Sequence, residues 1–182
     1  MKTAIVHCNV YTGQNAWEDG LVLIEDGAIA YVGAAAPFTA DEVIDAKGGI
    51  CLPGLVNAHT HIAMSLMRGV GAGLPLMDWL QVIFPIEDRL TDERVYWGSM
   101  LSIMEMIRRG TTAFADMYFF MPAVARAVLE TGMRANLVRS LTSLEKLPEA
   151  EAFFREFDGA GEGRVRVYYS PHAEYTTTPE LN

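Results

Sequence analysis

Cysteine and basic residues are scarce in this sequence of 182 residues, and each scarcity excludes a class of protein. The two cysteines, Cys8 and Cys51, lie far apart, outside any CxxC pair, and no signal-peptide pattern precedes them. We therefore expect two buried apolar thiols and no disulfide framework. Lys and Arg number 14 against 23 Asp and Glu, a formal net charge of −9. This balance excludes nucleic acid and anionic membrane surfaces as expected partners, because both require a basic patch.

Long hydrophobic runs are also absent. No segment approaches the roughly 18 consecutive apolar residues that indicate a transmembrane helix, although 51% of the residues are hydrophobic. That content is enough to build the core of one domain, or of a domain and a half. With no targeting or membrane segment in the sequence, we expect a cytoplasmic protein without a membrane partner.

The predicted secondary-structure pattern changes near Pro53. Residues 1–52 contain short β-rich runs divided by Gly and Asp-Gly turns, and Asp26-Gly27 between two apolar runs indicates a hairpin. Residues 53–182 alternate strands with helices, which indicates an α/β fold with a parallel sheet and right-handed crossovers. The predicted strands cover about 53–58, 111–116, 133–140 and 165–172.

Two of the predicted helices carry clear end signals. The first follows Thr91 and ends before Gly110, and its apolar residues recur at helical spacing. The second has Pro122 near its first turn and Gly132 at its close, and PEAEAFFREF forms a third helix. Four strands are half of a closed (β/α)8 barrel, which needs roughly 250 residues. We therefore expect half a barrel, with TTTPELN opening a further helix.

Two of the four histidines, His59 and His61, stand at the end of the first of these strands. Side chains two residues apart on a strand point the same way, so the two imidazoles project together. Neutral imidazole is a common zinc ligand, and the active sites of such barrels lie at the carboxyl ends of the strands. An isolated HxH also fits paired core histidines, so the spacing alone leaves the metal site open.

Five stretches resemble the metal-dependent amidohydrolase superfamily, and within it most closely the 5-methylthioadenosine/S-adenosylhomocysteine deaminases and their chlorohydrolase relatives. In chain order they are PGLVNAHTHIAMSLMRG, DWLQVIFPIEDRLT, MEMIRRGTTAFADMYF, GMRANLVRS and SPHAEYTTTPEL. The resemblance implies the first half of a TIM-type barrel, preceded by part of a small β-sandwich. It also implies that His59 and His61 bind one divalent metal at the barrel mouth. Histidine ligation favours zinc over manganese or iron.

The resemblance assigns substrate contacts to Glu87, Arg139 and His172, and gives no ligand role to Asp116. Glu87 can accept hydrogen bonds from both ribose hydroxyls, or can be a solvated carboxylate. Arg139 closes an apolar strand face and needs an anionic or carbonyl partner there, either a substrate carboxylate or an internal one. His172 ends the fourth strand, where substrate contact and plain packing are the two alternatives.

The implied activity is zinc-dependent hydrolytic deamination of an adenine nucleoside, namely 5-methylthioadenosine, S-adenosylhomocysteine or adenosine. A third metal histidine, a proton-shuttling glutamate and a metal aspartate would lie beyond Asn182. We therefore expect no catalytic residue in this chain, a requirement for the remaining barrel half, and no activity from these residues alone. Two alternatives stay open: a sister amidohydrolase acting on guanine or a triazine, and a truncated chain without activity. The resemblance also allows a homodimer.

This sequence departs from the family pattern at two places. Glu174 stands in HAEY where the relatives have proline, which places a carboxylate beside the pocket. The segment after Arg139, LTSLEKLPEAEAFF, is short where close relatives carry a longer loop with a second arginine. Recognition of a charged amino-acid tail is therefore not implied, and an uncharged nucleoside such as 5-methylthioadenosine stays open.

Overall fold

The computed structural model describes residues 1–174 and 176–177. The chain separates into two compact units, Met1–Pro53 and Gly54–Asn182, with a boundary one residue beyond the predicted one. The predicted helix opening at TTTPELN lies outside the described residues, apart from two threonines. Among the described helices, none is long and apolar enough to cross a membrane.

The first unit contains a single described sheet. Its strands are β1 (Lys2–Tyr11), β2 (Ala16–Glu25), β3 (Ala28–Ala34), β4 (Glu42–Asp45) and β5 (Ile50–Cys51). The order is β3-β2-β1-β4, with β5 also paired to β1; β2 runs antiparallel to both β1 and β3. The predicted hairpin joins β2 to β3, where Asp26 and Gly27 both have positive φ, as a tight primed turn requires. Cys8 is buried as expected, but Cys51 is only partly buried, because β5 is short and pairs only with β1.

The second unit is a parallel sheet covered by helices. Its strands are β6 (Leu55–Thr60), β7 (Thr111–Tyr118), β8 (Arg134–Leu141) and β9 (Val165–Pro171), in the order β6-β7-β8-β9. The helices are α1 (Leu76–Glu87), α2 (Asp92–Arg108), α3 (Met121–Thr131), α4 (Leu147–Phe157) and the short α5 (Ala160–Gly163), with 3-10 turns at Ile62–Met67 and Leu144–Lys146. All three strand pairings are parallel, which confirms the predicted α/β class.

Helices α2 and α3 form where their end signals place them. The Thr91 side chain accepts a hydrogen bond from the Arg94 amide at 3.3 Å, which caps the first turn of α2. Gly132 ends α3 with a φ of 75°. The buried faces of the helices meet the sheet in one core, whose fully buried members include Val95, Ile103, Val124, Leu137 and Val165. Burial of each such side chain contributes about 1.5–3 kcal/mol, so this core holds the strand ends in place.

Helix α2 approaches the 3-10 turn Ile62–Met67 closely, and a glycine permits the approach. A Cβ atom on Gly98 would lie 2.6 Å from the carbonyl oxygen of Ala63. The Ser65 hydroxyl donates to the Gly98 carbonyl at 2.7 Å, and the Ser102 hydroxyl donates to the Ile62 carbonyl at 2.7 Å. These contacts fix the backbone that follows His61.

Within the described residues, the sheet of the second unit is open at both edges. Strand β6 pairs only with β7, and β9 pairs only with β8. Leu55 and Val56 on β6 are 58% and 67% exposed, and Tyr168 and Tyr169 on β9 are exposed as well. Unpaired edges with exposed apolar side chains are sites where further strands can add.

Candidate active site

A cavity of about 190 Å³ lies at the carboxyl end of the sheet in the second unit. It brings together three of the residues selected from the sequence, His61, Glu87 and His172. Its wall also has large apolar and aromatic side chains, among them Met64, Leu76, Trp79, Leu80, Ile83, Phe84, Met117, Tyr118 and Phe119. An apolar cavity with a few convergent polar groups is the usual form of a small-molecule site.

The two histidines of the HxH pair lie side by side, as their spacing predicts. Their ring centroids are 5.4 Å apart, and the ring planes meet at 80°. The Nδ1 atom of His61 lies 2.6 Å from the carbonyl oxygen of Met117. Because a carbonyl can only accept, Nδ1 carries the proton, and the Nε2 lone pair of His61 stays available to a metal ion.

The histidine pair fits part of a metal site. Two adjacent imidazoles, one held in the ligand tautomer by a backbone carbonyl, are the donors that zinc prefers. Over residues 1–174 and 176–177 there is no group of three or more His, Cys, Asp or Glu that could hold a metal. Catalytic zinc usually has three protein ligands, so His59 and His61 need at least one more from elsewhere.

Asp116 supports the backbone on either side of His61. Its Oδ1 atom accepts a hydrogen bond from the Ile62 amide at 3.0 Å and lies 3.0 Å from the Thr60 hydroxyl, whose single proton is shared with the Ala115 carbonyl at 2.7 Å. The side chain is 2% exposed, and burial raises the pKa of Asp116 to about 6. Its Oδ2 atom has no hydrogen-bond partner among the described residues. Asp116 therefore contributes by fixing the chain around a proposed metal ligand.

Tyr118 is a site residue that the sequence did not reveal. Its hydroxyl donates a 2.7 Å hydrogen bond to Oε1 of Glu87, the last residue of α1. Burial, followed by this hydrogen bond, raises the pKa of Tyr118, so the hydroxyl keeps its proton and remains a donor. The only signal in the sequence is a hydroxyl in the otherwise apolar stretch MYFF, which follows the predicted strand.

His172 follows β9 and faces the same cavity. Its backbone amide donates to the Leu141 carbonyl at 3.0 Å, and its ring Nδ1 contacts the Thr176 hydroxyl. Burial lowers the pKa of His172, and nearby His61 lowers it further. The imidazole is therefore neutral near pH 7 and can both donate and accept a hydrogen bond.

Arg139 does not line the cavity that contains the histidines. It lines a second cavity, of about 520 Å³, which shares Phe84, Glu87 and Phe119 with the first. The Arg139 Nη2 atom donates to Oε1 of Glu149 at 2.6 Å. Of the two partners that the sequence left open, the structure supplies the internal carboxylate.

The fold and the histidine pair agree with one family of enzymes. A profile of the amidohydrolase family matches residues 50–181, and the chain belongs to that family. This finding confirms the resemblance inferred from the motifs.

Three relatives illustrate the match. The 5-methylthioadenosine/S-adenosylhomocysteine deaminase of Desulforamulus reducens is 49% identical over 173 residues, which cover 90% of this chain and 40% of that relative. The 5′-deoxyadenosine deaminase of Methanosarcina mazei is 50% identical over 170 residues, 89% of this chain and 39% of that one. A zinc-bound crystal structure of an adenosine deaminase from Xanthomonas campestris matches with a TM-score of 0.90 and 30% identity, over 97% of this chain and 44% of that one. The chain thus spans about 40% of the length of the curated relatives it matches.

Proposed function

We propose that this chain forms the N-terminal half of a zinc-dependent hydrolase that deaminates adenine nucleosides. The observation that carries the proposal is the convergence of His61, Glu87 and His172 on one cavity at the strand ends. The deaminases that are about half identical to this chain support the same reaction class.

In this proposal His59 and His61 hold the metal together with ligands from the remaining half of the barrel. When bound, the metal supplies a hydroxide nucleophile at neutral pH, because it lowers the pKa of its water ligand. The Met117 carbonyl keeps His61 in the ligand tautomer, and Asp116 holds the backbone on both sides of that histidine. The chain therefore prepares its share of the site through hydrogen bonds made within the second unit.

The cavity suits a planar ring joined to a ribose. Trp79, Phe84 and Phe119 offer aromatic surfaces against which a purine can pack. The Glu87 carboxylate, oriented by the Tyr118 hydroxyl, can accept hydrogen bonds from two ribose hydroxyls. Neutral His172 can bond to a ring nitrogen or to the exocyclic amine. The proposed reaction replaces that amine with oxygen and releases ammonia.

The test is a turnover assay on a complete barrel. It uses the full-length protein or, if the natural chain ends at Asn182, residues 1–182 produced together with the C-terminal part of the Desulforamulus reducens relative. Ammonia release is measured with 5-methylthioadenosine, 5′-deoxyadenosine, adenosine, guanine and a chlorotriazine, and chloride release is measured with the last. His61→Ala is the inactivating variant, and His7→Ala, which changes an exposed histidine of the first unit, is the matched control.

Turnover of the adenine nucleosides that is lost in His61→Ala and kept in His7→Ala is the expected result. Ammonia release from guanine alone, or chloride release from the triazine alone, would replace this function with that of a sister amidohydrolase. A native mass of 20.1 kDa, with no activity after complementation, would favour a truncated chain without enzymatic function.

A further inference from the structure

The shortest contact of the Arg139 side chain is an ion pair with another residue of this chain. Its side chain is 12% exposed, and its guanidinium lies 2.6 Å from Oε1 of Glu149 in the first turn of α4. It also donates to the Ser140 carbonyl at 3.3 Å. The other Glu149 oxygen lies 3.9 Å from Nζ of Lys146. A nearly buried arginine therefore already has a carboxylate as its partner.

The cavity that contains this pair adjoins the proposed ribose contact. Glu87, Phe84 and Phe119 line both the cavity of His61 and the cavity of Arg139. A nucleoside whose ring lies beside His61, and whose hydroxyls meet Glu87, can extend its remaining end into the second cavity. That end is the 5′ substituent, the part in which the substrates named for the two relatives differ.

The second cavity has an excess of negative charge. Four carboxylates and two cations line it: Glu87, Asp88, Asp92 and Glu149, with Arg139 and Lys146. The carboxylate of an amino-acid tail would meet this excess and would have to displace Glu149 from Arg139, whereas the ammonium of the same tail would not need Arg139. This displacement would exchange one charge-assisted hydrogen bond of Arg139 for another, so the substrate would gain little binding free energy from it. An uncharged 5′ substituent leaves the ion pair intact.

We propose, on the basis of the proposed function, that Glu149 is a specificity-determining residue. By pairing with Arg139 it makes the second cavity select adenine nucleosides with an uncharged 5′ substituent over those that end in a carboxylate. 5′-Deoxyadenosine and 5-methylthioadenosine belong to the first group, and S-adenosylhomocysteine belongs to the second.

The experiment compares kcat/KM for S-adenosylhomocysteine and for 5-methylthioadenosine on the complete barrel described above. Glu149→Gln removes the negative charge at nearly constant shape and frees Arg139 to bind a substrate carboxylate. The ratio of the two kcat/KM values, S-adenosylhomocysteine over 5-methylthioadenosine, should rise about tenfold, the scale of one charge-assisted hydrogen bond. Glu145→Gln makes an equal charge change four residues away and should leave the ratio unchanged, because among the described residues Glu145 forms no hydrogen bond or ion pair with Arg139.

Two further variants complete the design. Arg139→Gln should abolish the effect, so that adding Glu149→Gln to it no longer shifts the ratio. Glu149→Ala carries the same expectation as Glu149→Gln and replaces it if that variant is insoluble. An unchanged ratio overturns the proposal. A fall in the ratio also overturns it, since that result means that Glu149 binds the substrate ammonium. Absence of turnover with every adenine nucleoside overturns the proposed function instead.

Discussion

Removal of the Tyr118 hydroxyl tests whether Glu87 is a positioned substrate contact. The Tyr118→Phe substitution deletes one oxygen atom and keeps the ring in the core, where Tyr118 is 5% exposed. The hydroxyl gives Glu87 a 2.7 Å hydrogen bond. A hydrogen bond to a charged group contributes about 1.5–3 kcal/mol, and each 1.4 kcal/mol is tenfold in affinity. Because the bond is also present in the free protein, only part of this energy can appear in KM, and we expect the KM of a ribonucleoside to rise about threefold to tenfold.

The expected effect falls on KM, because in the proposed pose Glu87 holds the ribose and not the reacting carbon. We expect kcat to change by less than about threefold. The free energy of unfolding should fall by no more than about 1 kcal/mol, because the half-buried Glu87 carboxylate can bond to water once the hydroxyl is gone. Steady-state kinetics on the complete barrel and denaturant unfolding measure the two quantities separately.

A substrate without ribose hydroxyls tests whether the change in KM depends on the contact between Glu87 and the ribose. With 2′,3′-dideoxyadenosine, which lacks both hydroxyls, Tyr118→Phe should change KM little. In a Glu87→Ala background the tyrosine substitution should add almost nothing, because the pair then acts as one unit. An equal loss on both nucleosides, or additive effects in the double variant, would refute the reasoning and leave Tyr118 with a packing role.

Three other outcomes follow from the geometry. Gly98→Ala should lower the free energy of unfolding by about 1–3 kcal/mol in denaturant titrations, because its Cβ would lie 2.6 Å from the Ala63 carbonyl oxygen. Gly→Ala within a helix ordinarily increases stability, and such an increase here would contradict the close approach. Calorimetry of residues 1–182 should show weak zinc binding that is lost in His59→Ala or His61→Ala, since two imidazoles are fewer than the usual three ligands; nanomolar affinity would indicate a further ligand within the chain. Sedimentation velocity of residues 1–182 should show concentration-dependent association through the open edges of the sheet, and a monodisperse monomer would count against it.

Local signals account for the parts of the fold that the sequence predicted. Thr91 and Gly132 determine helix ends through their own hydrogen bonds and backbone angles, so α2 and α3 could be located without tertiary information. Helix α1 could not be located in this way. It contains Pro85, a residue that ordinarily interrupts a helix, and Pro75, which precedes it, supplies no side-chain capping bond. Its existence depends on packing against the rest of the unit.

Some residues of the candidate site could likewise be predicted from the sequence, and others could not. His61 could be selected because it follows a predicted strand, where parallel sheets place their binding residues. Glu87, Arg139 and His172 are selected through the family resemblance, and His172 also ends a predicted strand. Tyr118, the partner of Glu87, could not be selected, because it lies 31 residues further along the chain and the contact depends on where the tertiary fold places the end of α1. Glu149 is only ten residues from Arg139, yet charge alone could not show whether an internal or a substrate carboxylate would be its partner. The cytoplasmic location and the homodimer stay predictions.

The end of β7 gives the site an unusual sensitivity to changes in chain length. Three consecutive residues, Asp116, Met117 and Tyr118, hold in turn the backbone beside His61, the tautomer of His61 and the carboxylate of Glu87. Since strand side chains alternate between faces, inserting or deleting one residue in β7 would turn the Asp116 and Tyr118 side chains to the opposite face and would move the Met117 carbonyl out of register with His61. A library aimed at new substrates should therefore keep the length of β7 fixed and vary the side chains of the second cavity, with Arg139 and Glu149 changed together because they form an ion pair.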